Sequence, residues 1–216
     1  MAKLACGSAL LVLGVLTGLS WHGHIAAVDR AATTDMVQAK SSAVFTLANA
    51  VSVLGSGPVV AMIALIVGAV VWRRTHDAAA ALVTPAAATV GGVVELVGKQ
   101  LVARARPVTA SFTGEAGFGF PSGHATGFTA TALGACAAVA IGGLWPRRQR
   151  IGWWVAGAGT VGVAWARVAV GAHYAFDAAA GVLLGVVCAL STAQLVPALH
   201  IRLSLMLNRA GGRRRR

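Results

Sequence analysis

The chain has 216 residues, 57% of them hydrophobic and 11% charged, with a mean hydropathy of +0.75 and a formal net charge of +12. A soluble domain carries about a quarter charged residues, so this composition excludes an ordinary soluble protein and indicates one compact polytopic membrane domain. The positive charge does not point to nucleic acid. Most Lys and Arg sit in short clusters between apolar segments, as they do in cytoplasmic loops of membrane proteins.

The first apolar segment runs from about Leu4 to Trp21. Lys3 in front of it resembles the start of a signal peptide, but no small-x-small cleavage site follows, and the segment reads as an uncleaved anchor. His22 to Ser42 is polar and mixed, with apolar positions that suit a surface helix. Residues 43–72 are too long for one simple span of about 20 residues. Gly55-Ser56-Gly57-Pro58 breaks them into a shallow piece (45–54) and a crossing (57–72). Further crossings are expected over 78–104, 124–145, 151–167 and 177–199, with a basic tail over 205–216. A polar stretch rich in Gly, Ser and Thr separates the third and fourth crossings.

These expectations define an all-α, six-helix transmembrane bundle with both termini on one side. Twelve cations then fall on the terminal side: Lys3, Arg73, Arg74, Arg147, Arg148, Arg150, Arg202, Arg209 and the four arginines 213–216. Six fall on the other: Arg30, Lys40, Lys99, Arg104, Arg106 and Arg167. The positive-inside rule therefore predicts cytoplasmic termini. Gly14-x-x-x-Gly18 and Gly181-x-x-x-Gly185 have the spacing of close helix contacts in lipid. Cys6, Cys136 and Cys188 lie far apart in apolar segments and read as packing residues.

Three polar clusters interrupt this pattern, and the topology puts all three on the non-cytoplasmic face. In the third cluster, His173 and Asp177 are four apart, a spacing that shares one helix face. A carboxylate beside an imidazole fixes its tautomer and leaves the other ring nitrogen free to attack, and Arg167 can fork onto phosphate oxygens. Alone, the pair also reads as a helix cap with a local histidine. In the second cluster, Ser122 and Gly123 precede an apolar helix, where a hydroxyl and backbone amides cradle an anion. His124 in the first turn can donate a proton to a leaving oxygen; the ordinary alternative is a capped helix with an interfacial histidine. In the first, Lys99 and Arg106 carry cations to the same end, with Glu95 spaced to pair with Lys99. By themselves they read as snorkelling cations. Together the clusters supply what phosphoryl transfer requires: cations for the equatorial oxygens, a nucleophile and an acid. No metal-binding carboxylate group is evident, so no metal or cofactor is expected.

Lys99-x6-Arg106-Pro107, Pro121-Ser122-Gly123-His124 and Arg167-x5-His173-x3-Asp177 resemble the three signature motifs of the type-2 phosphatidic acid phosphatase superfamily. The resemblance implies a six-helix membrane core and a metal-independent phosphatase with an outward-facing site for lipid phosphates in the plasma membrane. It implies His173 as nucleophile, Asp177 as its orienter and His124 as general acid, with Lys99, Arg106, Ser122, Gly123 and Arg167 binding phosphate. The substrate class would be a polyprenyl phosphate or diphosphate, phosphatidic acid or phosphatidylglycerol phosphate, and residues 108–120 would gate the headgroup. One departure stands out: Ala166 occupies a position where the family usually has Ser. The alternative is a non-catalytic lipid-phosphate binder or transport protein on the same fold, against which the intact His124, His173 and Asp177 speak. A soluble-type vanadium haloperoxidase shares the motif logic but not the membrane spans.

Overall fold

A computed structural model describes Gly14 and residues 23–213, with side chains from 26 to 206. The first apolar segment and its Gly14/Gly18 pair therefore lie outside the described residues apart from Gly14. The described chain is all helical: α1 (Gly23–Met36), α2 (Ala43–Ser52), α3 (Gly57–Thr75), α4 (Ala78–Val102), α5 (Gly123–Ile141), α6 (Gln149–Ala169) and α7 (Ala175–Arg213). Short 3-10 turns cover Val53–Gly55 and Val108–Phe112. The polar stretch expected to form a surface helix is α1, and the expected shallow piece is α2 with its 3-10 turn.

Among the described residues, α3, α4, α5 and the Ala175–Met206 part of α7 are long and apolar enough to cross a membrane. The less apolar α6 has 21 residues, a length of about 31 Å at 1.5 Å per residue, and packs against α5 and α7 within the bundle. The helix starts follow local chemistry. Ser42 accepts from the Phe45 amide and Asp77 from the Ala80 amide, while Pro58 occupies the first turn of α3. The last helix does not stop near residue 199 but continues past Pro197 to Arg213.

Burial follows membrane logic. Leu65, Ile66, Leu82, Leu96, Leu101, Trp154, Val155 and Leu195 are exposed on the outside, while Ala, Gly and Thr fill the interior. Small residues let helix backbones approach where lipid removes the usual hydrophobic drive for association. The central helix α5 touches α3, α4, α6 and α7. A Cβ at Gly185 would lie 2.6 Å from Thr129 Cβ and 2.8 Å from the Thr126 carbonyl, and one at Gly181 would lie 2.5 Å from the Ser122 carbonyl. The Gly181/Gly185 spacing is thus the seam between α5 and α7. At the far end, Gly142 after α5 packs against Thr75 and Val71 of α3, so the basic segments 73–74 and 147–150 share one end of the bundle.

Replacing Gly185 by Val forces α5 and α7 apart at an overpacking cost of roughly 1–3 kcal/mol. The expected result is a lowered thermal unfolding midpoint in detergent. Gly157 has no atom near its would-be Cβ, so Gly157→Ala should leave the midpoint unchanged or raise it.

Candidate active site

The end of the bundle opposite those basic segments gathers all three clusters. Lys99 lies in the last turn of α4, and Arg106 follows in the connecting segment. Ser122 is the N-cap of α5, with Gly123 and His124 its first residues. Arg167 is in the last turn of α6, and Asp177 is in the first turn of α7. His173 lies in the turn between them and not on the helix, so the pair shares no helical face. The turn instead folds His173 Nδ1 to 3.7 Å from Asp177 Oδ2, close but longer than a hydrogen bond. The Ser122 amide donates to the Asp177 carbonyl at 3.0 Å, which joins the second cluster to the third. Arg167, His173, Asp177 and Ser122 are all buried.

The connecting segment contributes a residue that the motifs do not contain. Glu115 stands between the cations, with Oε2 2.8 Å from Arg106 Nη1 and Oε1 paired with Arg167 Nη2. Its Oε2 is 3.9 Å from His173 Nε2. Burial opposes its charge, but Arg167 and then Arg106 outweigh that and hold the carboxyl below the usual glutamate range. Arg106 Nη1 also meets the Ala172 carbonyl at 3.0 Å and His173 Nε2 at 2.9 Å. An arginine can only donate, so this contact assigns the lone pair to Nε2 and the proton to Nδ1, on the Asp177 side. Burial, then Arg167 and Arg106, push the His173 imidazole well below its ordinary pKa of 6.5, leaving it neutral.

Charges around the two histidines are shared: Arg167, Glu115, Lys99 and Arg106 act on both His124 and His173. Lys99 pairs with Glu95 at 2.6 Å. The Glu95 carboxylate lies against Gly123, where a Cβ would meet Oε1 at 2.7 Å, so the glycine leaves room for this ion pair as well as for any ligand. Ser122 caps α5 by position only, because its Oγ bonds no amide. Ser122 Oγ, Arg106 Nε, Arg167 Nε and His173 Nδ1 are buried without a hydrogen-bond partner in the protein. Glu95 Oε1, its ion pair with Lys99 aside, and four threonine hydroxyls of the bundle are in the same state; the Ser122, Arg106, Arg167 and His173 atoms belong to residues of the three clusters and are open to a polar ligand.

Arg167 Nη1 donates to Ser52 Oγ of α2 at 2.7 Å. Ala166 next to it is fully buried in a cluster with Ala48, Ala169, Val170 and Ala172. A hydroxyl thus reaches the arginine from another helix, while position 166 is apolar packing. Arg104 is the other cation the motifs pass over: it bridges Asp177 Oδ1 and Asp29 Oδ2, both at 2.6 Å. Among the described residues, no group of three His, Cys, Asp or Glu side chains is placed to hold a metal ion.

A groove of about 480 Å³ runs from His124, Glu95 and Gly123 between α3, α4 and α5, along Val60, Ala64, Leu65, Ala88 and Gly92. Its walls are apolar and its head is at the charged cluster.

The profile of the PAP2 superfamily matches residues 77–201, more than half of the chain and all three clusters, and the protein belongs to that superfamily. The fold is also similar to a solved structure, a transmembrane PAP2-type phosphatidylglycerolphosphate phosphatase from Bacillus subtilis, with a TM-score of 0.80 at 20% identity over 91% of this chain and 96% of that one. No curated protein sequence matches significantly.

Glu115 already pairs with the guanidiniums of Arg106 and Arg167, so neutralising it should favour anions. Orthovanadate, a phosphate analogue, is expected to inhibit Glu115→Gln at several-fold lower concentration than wild type. A factor of about five corresponds to roughly 1 kcal/mol. Unchanged inhibition would show that the carboxylate does not compete for the site.

Proposed function

We propose that this protein is an integral-membrane phosphatase that removes a terminal phosphate from a lipid phosphate or diphosphate through a phosphohistidine intermediate. The observation that carries this reading is the convergence of Arg106, Arg167 and the neutral His173 on one carboxylate, Glu115. A substrate phosphate entering there displaces Glu115, takes the two guanidiniums on its equatorial oxygens and faces His173 Nε2. Lys99, Ser122 Oγ and the backbone amide of Gly123 complete the cradle.

His173 Nε2 attacks phosphorus while the bond to the leaving oxygen breaks, and His124 gives that oxygen a proton, releasing the lipid alcohol or the lipid monophosphate. Asp177 keeps the proton on Nδ1 and stabilises the charge that develops on the imidazole. Water, deprotonated by His124, then attacks the phosphohistidine, freeing inorganic phosphate and restoring His173. The guanidiniums neutralise the developing charge, the task a metal performs in other phosphoryl-transfer enzymes, so no metal is required.

The apolar groove supports a lipid substrate because it would seat a hydrocarbon tail with its head at His124. Polyprenyl phosphates and diphosphates of envelope synthesis are the favoured class, with phosphatidic acid and phosphatidylglycerol phosphate in the same panel. The positive-inside count supports cytoplasmic termini and a site on the outer face of the plasma membrane.

Phosphate release from such a panel by the purified protein tests the reading. His173→Ala should lose activity by on the order of 10⁴-fold or more, His124→Ala by about 10²–10⁴-fold, and EDTA should change nothing. Activity surviving in His173→Ala would overturn the mechanism, and full dependence on a divalent metal would do the same.

The pH profile provides a further check. Only neutral His173 attacks, and its depressed pKa keeps it neutral as pH falls through 6.5. The acid limb of kcat/KM that it causes should therefore lie below pH 6.5.

A further inference from the structure

α1 contributes a buried carboxylate that the reaction above does not use. Asp29 is fully buried. Its Oδ1 accepts from the Phe176 amide at 3.0 Å and its Oδ2 from Arg104 Nη2 at 2.6 Å. Thr33, one turn on, accepts from the Ala175 amide at 3.0 Å. These two residues cap α7 from a different helix, at the two residues immediately before Asp177. Arg104 reaches from Asp29 to Asp177 Oδ1 with its guanidinium 4.5 Å from the Tyr174 ring centre. Asp177 Oδ2 accepts from the Tyr174 amide at 3.0 Å and faces His173.

A guanidinium held by one buried carboxylate would largely neutralise it. Here the charge of Arg104 is divided between two, so Asp177 keeps negative charge on the side toward His173. Without the charge of Asp29, the whole of Arg104 falls on Asp177 and the imidazole loses its electrostatic support. We propose that Asp29 is a positioning residue of the phosphatase, acting through Arg104 on Asp177 and thereby on His173, so that α1 is part of the active-site apparatus. This inference rests on the phosphohistidine reading above. The groups facing His173 are Asp177 from α7, Arg167 from α6, and Arg106 and Glu115 from the segment after α4, with Lys99 of α4 adding its charge.

Asp29→Asn keeps an oxygen for the Phe176 amide and removes only the charge. Thr33→Ala removes a capping bond and no charge. In a phosphate-release assay, Asp29→Asn should lower kcat by about 10–100-fold, the usual effect of residues that orient a reacting group, with KM changed less than about twofold. The acid limb of its kcat profile should move to lower pH, and Asp29→Glu should recover part of kcat. Thr33→Ala should lower the unfolding midpoint and leave the pH profile in place. With isotope-labelled histidine, the His173 ring signals, assigned by their loss in His173→Ala, should shift in Asp29→Asn and stay put in Thr33→Ala. That readout needs no turnover, so an inactive wild type would overturn the phosphatase reading without deciding this one. His173 signals in Asp29→Asn that match wild type, or kcat and pH profile that match in an active enzyme, would overturn the role of Asp29. Equal effects of Asp29→Asn and Thr33→Ala on every readout would reduce it to a cap and overturn it as well.

Discussion

The contact between α5 and α7 sets the geometry on which the charged end depends. Gly181 and Gly185 have no side chains, so α7 lies directly on the backbone of α5 at Ser122, Thr126 and Ala130. At that distance the Ser122 amide reaches the Asp177 carbonyl. Two segments more than fifty residues apart then share one hydrogen bond. With α5 fixed, His124 is carried to the same set of charges that surrounds His173. In lipid this arrangement can be reached only by close packing, since an apolar solvent gives apolar side chains little reason to associate. The stripe of small residues and the charged cluster are therefore one construction.

Charge balance is the second constraint. A cation withdrawn from water without a partner is costly, and this end holds one buried, Arg167, and three half-buried, Lys99, Arg104 and Arg106. Each has a carboxylate at ion-pair distance, drawn from Glu95, Asp29, Asp177 and Glu115. The chain has only six acidic residues, and a fifth, Asp77, caps α4. In a sequence so poor in acids, nearly every carboxylate has a structural or electrostatic task.

That economy explains what was legible in the sequence. The crossings starting at 57, 78 and 123–124 and the three clusters are local signals: apolar runs, breakers, and residues a few positions apart. The family and the all-helical fold follow from them. Glu115 sits in a Gly- and Thr-rich stretch with no periodicity, and while Arg106 is in its own segment, Arg167 and His173 come beside it only after α6 folds back. Asp29 is 75 residues from Arg104 and 147 from Phe176, a separation that no spacing rule covers. Ser52, on the short α2, reaches Arg167 across 115 residues, and nothing beside Ala166 points to it. The scarcity of acids was the one available signal: lone carboxylates in a basic, apolar chain must find cations. The His173–Asp177 spacing pointed to two residues that do come within 3.7 Å of each other, but for the wrong local reason, because a turn rather than a helix brings them together.

The pairings differ in how readily they can open. Asp29 and Asp177 are fully buried and tied to backbone amides of the α7 start, so the Arg104 bridge is part of the scaffold. Glu115 is the more exposed partner of its pairs, with 24% of its side chain accessible, and it belongs to a segment with Gly114 and Gly117 at positive φ, a backbone conformation glycine adopts without strain. In the proposed reaction the site thus combines a fixed half, which orients the imidazole, with a half whose carboxylate leaves. A phosphate dianion arriving as Glu115 departs replaces one negative charge by two. In the proposed reaction the surplus falls where two guanidiniums and the developing imidazolium can meet it, and where burial makes their attraction strong. A site neutral at rest and electropositive once its own carboxylate has moved aside would remain folded and compensated without substrate, yet bind the phosphate firmly when it enters.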